Sequence, residues 1–580
     1  MPITPTYPGL YIEEIASNSH TITAAPTSVT VFIGYTHPFQ TTTFNEPVQI
    51  FSFADYERYF GGFFYSSYFA ADEAAGLFGD VAMAVYQFFQ NGGAVAYVVG
   101  LMSKRFLPGS PPAGNWPATA KFYNNQATAA CGNVEFAALV VVDAQFQLTL
   151  TLENIVAAQG SPVETLLMAD VTITYAPTAA APVGANSTTE TYPRVNFGPA
   201  QDANGLPNAN SIVSVINGSS QLVTAAFTNQ SQPQSEHDLL SASSSPPLTS
   251  PFVNSLSVQF VFGPAMGTPN SSPVATSGNI FDVLDFTQAM LADSPLDKLA
   301  IFNLLVIPGV TQAAVLSGAS SFCLTKRAFL IMDPPINDTP DGAVYSSVQT
   351  TSISSDFSGM PKSKNSALYF PYLQSNDPRS GAVVYIPPSG TVAGIFAEID
   401  QNRGVWKAPA GLETLLNNVT DVVPNGRMTD QRQGVLNPQG INCIRNFPGV
   451  GPVVFGARTS VSANSSFQEW KYVPVRRMAL FLEQTLYANL GWVVFEPNAD
   501  PLWTAIRSTI ESFMLGLFKQ GAFQGNTPSD AFQVKCDNQT TTQDDIDKGI
   551  VNIVVAFAPL QPAEFVVIQI AQLAGQTQTS

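Results

Sequence analysis

DPLWTAIRSTIESFMLGLFKQG, Asp500 to Gly521, carries a complete helix signature. Asp500 followed by Pro501 reads as an N-cap and first-turn pair, since proline's fixed φ suits the first turn and it has no amide to leave unsatisfied there. Leu502, Ile506, Ile510, Phe513, Met514 and Leu517 recur at helical spacing and fall on one face. Lys519 sits in the last turn, and Gly521 can supply a left-handed cap. Working outward, a second helix is expected from Val475 to Leu490, with Met478, Leu482 and Leu486 inward and Gly491 as its stop. Phe532, Val534 and Cys536 alternate with Gln533, Lys535 and Asp537, which predicts a half-buried strand. Val551, Ile553, Val555 and Phe557 predict another. Phe565, Val566, Val567, Ile568 and Ile570 predict a third, beyond the breaks at Pro559 and Pro562. Two helices on a mostly antiparallel sheet bury these faces economically, so this last region reads as an α+β domain.

The whole chain has 580 residues, too many for one core, and its 45% hydrophobic and 11% aromatic content describes a folded protein. No apolar run approaches the roughly 18–20 residues of a membrane span. The opening MPITPTYPGLYIEEI has neither a basic n-region nor an apolar h-region, so no secretory signal is expected. Cys131, Cys323, Cys443 and Cys536 are scattered without CxxC spacing and read as buried free thiols of a reducing compartment. A net charge of −18 argues against nucleic acid as a partner. Phe122 to Asp297 has one basic residue, Arg194, against thirteen acidic ones, whereas Asp430 to the end has ten basic and twelve acidic. The acidic middle suits facing solvent; the mixed-sign end suits specific contacts with neighbours.

Taken in order, residues 1–27 form a Pro- and Thr-rich arm with one short strand candidate, Tyr11, Ile12, Glu13, Glu14 and Ile15. Such a segment has too little apolar surface to fold alone and pairs most readily with a sheet edge. Residues 28–102 hold a strand at Val29–Gly34, a helix at Asp80–Gln90 and a strand at Ala94–Val99. Residues 103–277 shift to Ser, Thr, Asn, Gly and Pro around short β-branched runs and read as an inserted, outward-facing β-rich domain. Ala138–Leu150 and Val171–Tyr175 are its strand candidates, and SQPQSEHDLLSASSSPPLTSP a long loop. Residues 278–430 return to α/β alternation, with strands at Leu304–Ile307, Ala328–Met332 and Ala382–Ile386. Ser389 then reads as the N-cap of a helix through Ile399. The last α+β domain takes 431–560, and 561–580 is a C-terminal arm.

Several phrases resemble contractile tail sheath proteins of phages and related injection machines. They are PGLYIEEI (Pro8–Ile15), PTSVTVFIGYT (Pro26–Thr36), the helix–NGG–strand unit at Asp80–Val99, and PPSGTVAGIFAEIDQNRGVWKAPAG (Pro387–Gly411), which is the most specific. GVLNPQGINCIRNFPGVGPVVFGART and EWKYVPVRRMALFLEQTLYANLGWVVFEPN complete the set, and the resemblance covers roughly residues 7–100 and 300–572. FIGYT and PVQIFSFADYERYFGG look closest to extracellular contractile injection systems, with a phage tail as the alternative. The resemblance implies a multidomain α+β protein with α/β-type core domains. It implies stacked six-subunit rings wound as a sleeve around an inner tube, assembled in the cytoplasm of the producing cell, with baseplate, terminal cap and other sheath isoforms as partners. It also implies that Tyr11–Ile15 and Phe565–Ile570 are strands exchanged between neighbours. Arg507 and Lys519 are candidate contacts to an acidic tube. The sleeve would contract from a metastable extended state and drive the tube through a target envelope.

Chemistry-bearing residues are sparse. His20, His37 and His237 lie far apart in loop-like contexts. Asp544, Asp545 and Asp547 read as a solvated turn with one Asp capping the next helix, and Phe60–Tyr65 as core or subunit contact. The Gly pair at Gly92–Gly93 follows a helix and precedes a strand, the wrong order for a phosphate loop. Arg476 and Arg477 open a helix, where positive charge is locally unfavourable, and so are expected to meet carboxylates within the domain or on a neighbour. No catalytic, cofactor or metal site is expected, nor direct membrane insertion. A secreted enzyme or adhesin is the competing class, drawn from the Ser/Thr/Asn-rich middle.

Overall fold

The computed structural model describes residues 21–37, 41–63, 80–101, 283–335 and 427–565 without a break, and parts of 128–261 and 357–423. Its centre is a sheet of eight strands: β1 (Thr30–Tyr35), β2 (Pro47–Ile50), β3 (Ala96–Leu101), β4 (Leu304–Val306), β5 (Phe329–Met332), β6 (Ser366–Phe370), β7 (Ile441–Phe447) and β8 (Gly451–Val454). They lie in the order β8-β7-β6-β5-β4-β1-β3-β2. The run from β3 to β7 is parallel, and β2 and β8 close the two edges antiparallel. A parallel sheet is covered on both faces, so its strands are apolar throughout instead of alternating. β1, TVFIGY, is buried at every residue. Val31, Ile33 and Tyr35 enter one core and Phe32 the other.

Helices supply both covers. The labelled ones are α1 (Phe53–Phe60), α2 (Val81–Gln90), α3 (Ala313–Lys326), α4 (Ser389–Arg403), α5 (Val473–Asn489) and α6 (Asp500–Lys519). α3 packs on the Val31 side; α1, α2 and α4 pack on the Phe32 side. Two glycines one turn apart bring α4 against α2. A Cβ on Gly390 would lie 2.5 Å from the Ala84 carbonyl oxygen, and one on Gly394 would lie 2.7 Å from that of Phe88. The SGTVAG phrase is thus a backbone-to-backbone contact that larger side chains would prevent.

Three local expectations change. Ser389 lies inside α4 instead of capping it; its Oγ donates to Asp333 Oδ2 at 2.6 Å. The expected strand Ala138–Leu150 divides into Val134–Ala138 and a strand beginning at Phe146. Both belong to the inserted region, whose described strands form a four-stranded and a three-stranded sheet joined to the Val31-side core. Third, the strands of 441–454, placed by sequence in a final domain starting at 431, are β7 and β8 of the central sheet. Their partner β6 lies more than 70 residues upstream, beyond the reach of local pattern.

What remains of the C-terminal unit is α5, α6 and an antiparallel pair, β9 (Phe532–Lys535) and β10 (Val554–Phe557). Met478, Phe481 and Leu482 of α5 pack with Leu502, Ile506, Ile510, Met514 and Leu517 of α6 and with Val534. α6 begins one residue earlier than read: Ala499 is the N-cap, and Asp500 lies in the first turn, where a negative charge meets the positive helix end. Gly521 takes φ 78°, as its place at the helix stop requires. Of the expected third strand, Phe565 is described and is not in a strand; Val566, Val567, Ile568 and Ile570 lie outside the described residues. No described helix is long and apolar enough to cross a membrane.

Candidate functional site: the roots of the two arms

α5 is apolar toward its own unit but carries a polar stripe: Arg477, Gln484, Thr485 and Asn489, the last three lying about two, two and three helical turns from the first. The stripe binds the backbone at Thr23, Ala25 and Thr27, where the N-terminal arm enters the fold, and reaches Pro26 and Val29 through Asn303. Asn489 accepts from the Thr23 amide at 2.9 Å and donates to the Thr23 carbonyl at 2.8 Å. Thr485 accepts from Ala25 at 3.1 Å. Asn303 donates to the Pro26 carbonyl at 2.8 Å and to Gln484 Oε1 at 2.6 Å, and accepts from the Val29 amide. Gln484 in turn donates to the carbonyls of Phe302 and Arg327. Arg477 donates to the Thr27 carbonyl at 2.9 Å. Ile22 is buried in the C-terminal core. The arm root therefore runs antiparallel to α5 and continues into β1.

Arg477 also pairs with Asp400 of α4, at 2.8 and 2.5 Å. Burial pushes the Asp400 carboxyl up, against the pull of Arg477. Arg476 meets Glu483 at 3.1 Å and Asn365 at 2.7 Å. Both arginines thus find carboxylates, as their awkward position at a helix start requires. The partner of Arg477 comes from the central domain, so the pair ties that domain to the C-terminal unit.

A second attachment, at Glu564, lies near the opposite end of α5. Glu564 accepts from Arg458 Nε and Nη2, both at 2.7 Å, from the Tyr472 hydroxyl at 3.0 Å and from Asn437 Nδ2 at 2.6 Å. Tyr472 is the residue before α5. Burial works to raise the Glu564 carboxyl, but these donors and the Arg458 charge hold it below its ordinary value.

The remaining candidates are distributed as follows. Tyr11, Ile12, Glu13, Glu14 and Ile15 lie outside the described residues, as do His20 and His237. Phe565 is 72% exposed. Arg507 is half-buried and donates to the Cys536 carbonyl at 3.2 Å, while Lys519 is exposed. The structure does not bring these two cations into one cluster. α6 also presents Ala505, Ser508, Ser512 and Gly516 to a groove of about 670 Å³ beside the N-terminal arm root. Among the described residues, neither β9 nor β10 has a further strand on its outer edge.

No group of three or more His, Cys, Asp or Glu among the described residues could hold a metal. Asp544, Asp545 and Asp547 lie inside a short helix, Gln543–Asp547, instead of in a turn before one; its N-cap is Thr542, and Asp545 at the third position completes the capping box. His37 is buried, and desolvation lowers its pKa to about 3, so it stays neutral. Cys323, Cys443 and Cys536 are free and buried. At the carboxyl ends of the parallel strands, where open α/β sheets take ligands, Asp333 accepts from the amides of Gly309 and Ser389 and from the Ser389 hydroxyl. The start of α4 is thereby occupied by the chain's own carboxylate.

Sequence reasoning missed Glu564, the α5 stripe and Asp333. Only the stripe had a readable signal: amides and hydroxyls at helical spacing inside an otherwise apolar helix.

The described residues thus form a mostly parallel α/β core joined to a helical C-terminal unit, with residues 23–27 laid along α5 and Glu564 held by Asn437, Arg458 and Tyr472. Comparison with known proteins agrees with it. The phage tail sheath protein central domain matches residues 291–460, and the phage tail sheath C-terminal domain matches 465–572. A prophage major tail sheath protein of Pseudomonas aeruginosa is 27% identical over 312 residues, 52% of this chain and 72% of that protein. The tail sheath protein of Vibrio phage KVP40 is 25% identical over 181 residues, 31% of this chain; the match spans only 25% of that longer protein. The fold is similar to the anti-feeding prophage helical sheath in its contracted state, with TM-score 0.53, 22% identity, and coverage of 98% of this chain and 100% of that one. It is equally similar to the sheath of the PVC extracellular contractile injection system, with TM-score 0.53, 19% identity, and coverage of 98% and 99%. The two domain matches and these relatives support a place for the chain in the contractile tail sheath family.

Proposed function

We propose that this chain is the structural subunit of a contractile sheath, polymerising as stacked hexameric rings around an inner tube. Its work is mechanical: from a metastable extended sleeve, subunits repack and drive the tube forward, using free energy stored at assembly. The observation that carries the reading is that both arm roots are fastened to the fold, the N-terminal one along α5 and the C-terminal one at Glu564, held by Asn437, Arg458 and Tyr472. Arms leaving a rigid subunit from fixed points can join neighbours by adding strands to open sheet edges, and β9–β10 offers two. Contacts of this head-to-tail kind extend into filaments. Residues 11–15 and 565–570 are the exchanged strands in this reading. Lys519, exposed in the last turn of α6, is better placed than Arg507 to meet an acidic tube. The FIGYT phrase and the contracted injection-system sheaths of similar fold favour an extracellular contractile injection particle over a phage tail. Baseplate and cap proteins would terminate the sleeve.

The test is negative-stain electron microscopy of the full chain, co-expressed with its tube protein, beside a chain lacking residues 1–20. Hollow sleeves from the first and none from the second are expected. Only monomers from the full chain would refute the sheath function; sleeves from both would refute the need for the arm.

A further inference from the structure

We infer that Glu564 is the positioning residue of the C-terminal arm, the point at which the arm is fixed to the core and given its direction. This rests on the reading of the arms as inter-subunit links.

The backbone of β10 is last tied at Ala558 and Pro559, through the Gln524 amide and the Phe523–Pro559 bridge. From Gln561 to Phe565 exposure then alternates: 561, 563 and 565 are exposed, and 562 and 564 turn inward. Glu564 is the residue of this stretch whose side chain is bonded, and its three partners come from three places. Asn437 follows the helix Asp430–Leu436, Arg458 follows β8, and Tyr472 precedes α5. A guanidinium bound to a carboxylate through two parallel hydrogen bonds fixes orientation as well as position. Arg458 is itself held, since its backbone amide donates to Asn442 Oδ1 at 2.7 Å and its Nη1 to the Asn437 carbonyl at 3.0 Å. The side-chain exposures, 7% for Arg458 and 18% for Glu564, keep water from competing freely. One residue later Phe565 is 72% exposed. The chain passes from a rigid anchor to the surface in a single step, so Glu564 sets where and in what direction it leaves the core. An apolar anchor would hold the segment down but leave it free to swivel; directional hydrogen bonds do not.

The test compares four full-length chains co-expressed with the tube protein: wild type, Glu564→Ala, a truncation lacking 566–580, and the two changes combined. Glu564→Gln, which keeps the shape, stands in if the alanine chain does not fold. Sleeves are counted by pelleting and microscopy, and the unassembled subunit is checked by thermal unfolding. Glu564→Ala is expected to cut pelletable sleeves by about tenfold or more, as loss of an oriented linker lowers effective concentration. It is expected to leave the subunit folded and to add nothing in the truncated background. Wild-type sleeve yield from Glu564→Ala overturns the inference, as does a further loss in the truncated chain, which would show action through the fold. Equal sleeves from wild type and truncation overturn the arm's role while the sheath function stands. No sleeves from the wild type take down that function and this inference together.

Discussion

Arg477 and Asp400 form a buried ion pair, 3% and 2% exposed at their side chains, across the join between α5 and α4. The same guanidinium holds the Thr27 carbonyl. Removing one partner strands the other charge in a dry site. Arg477→Ala should cost about 3–5 kcal/mol in urea denaturation, and the double change Arg477→Met with Asp400→Leu should recover most of it. Equal losses in the single and double variants would show that packing, not charge, dominates there.

The α2–α4 contact makes a second prediction. Gly394→Val should destabilise by at least about 3 kcal/mol, because the added carbons meet backbone of the neighbouring helix that cannot move without its own sheet. Gly434→Val is the control, since a Cβ there meets nothing within 4 Å. Paired thermal melts decide it.

Asp333 titrates against the fold. Burial pushes its carboxyl up to about 6, above the usual 3.8. A folded pKa above the unfolded one means the contribution is present at low pH and is lost as pH rises through 6. Between pH 5 and 7.5 wild type should lose about 1 kcal/mol relative to Asp333→Asn, which cannot titrate. Denaturation curves of both chains at the two pH values measure it; a difference independent of pH would place Asp333 at an ordinary pKa.

The N-terminal arm root is open to hydrogen exchange. Thr485→Val with Asn489→Ala removes the acceptors of the Ala25 and Thr23 amides. Those amides should exchange roughly fivefold faster, about 1 kcal/mol for each lost bond, while β1 keeps its protection. Faster exchange spreading into Thr30–Tyr35 would show that the root and β1 open as one unit.

How much of this was readable depended on distance along the chain. α6 and β1 were legible because everything that makes them lies inside them: apolar spacing, a proline start, a glycine stop. β7 and β8 looked like members of the last domain because the choice of partner strand is not encoded locally. Ser389 looked like a cap because serine before a helix usually is one; a carboxylate 56 residues upstream, able to accept three bonds, took it instead. Glu564 gave no sign in sequence at all, being one glutamate in a polar-to-apolar transition, and only the arrival of Asn437, Arg458 and Tyr472 gives it a role.

The course of residues 23–27 along α5 has a consequence under load. Thr23, Ala25 and Thr27 are gripped at successive levels of one helix, so a pull on the arm along that axis stretches all three attachments together. Peeled sideways, they would break in succession, each bearing the full force. A fastening of this geometry is strong in shear and weak to unzipping. Such a joint holds against a lengthwise pull but can still be opened from its end.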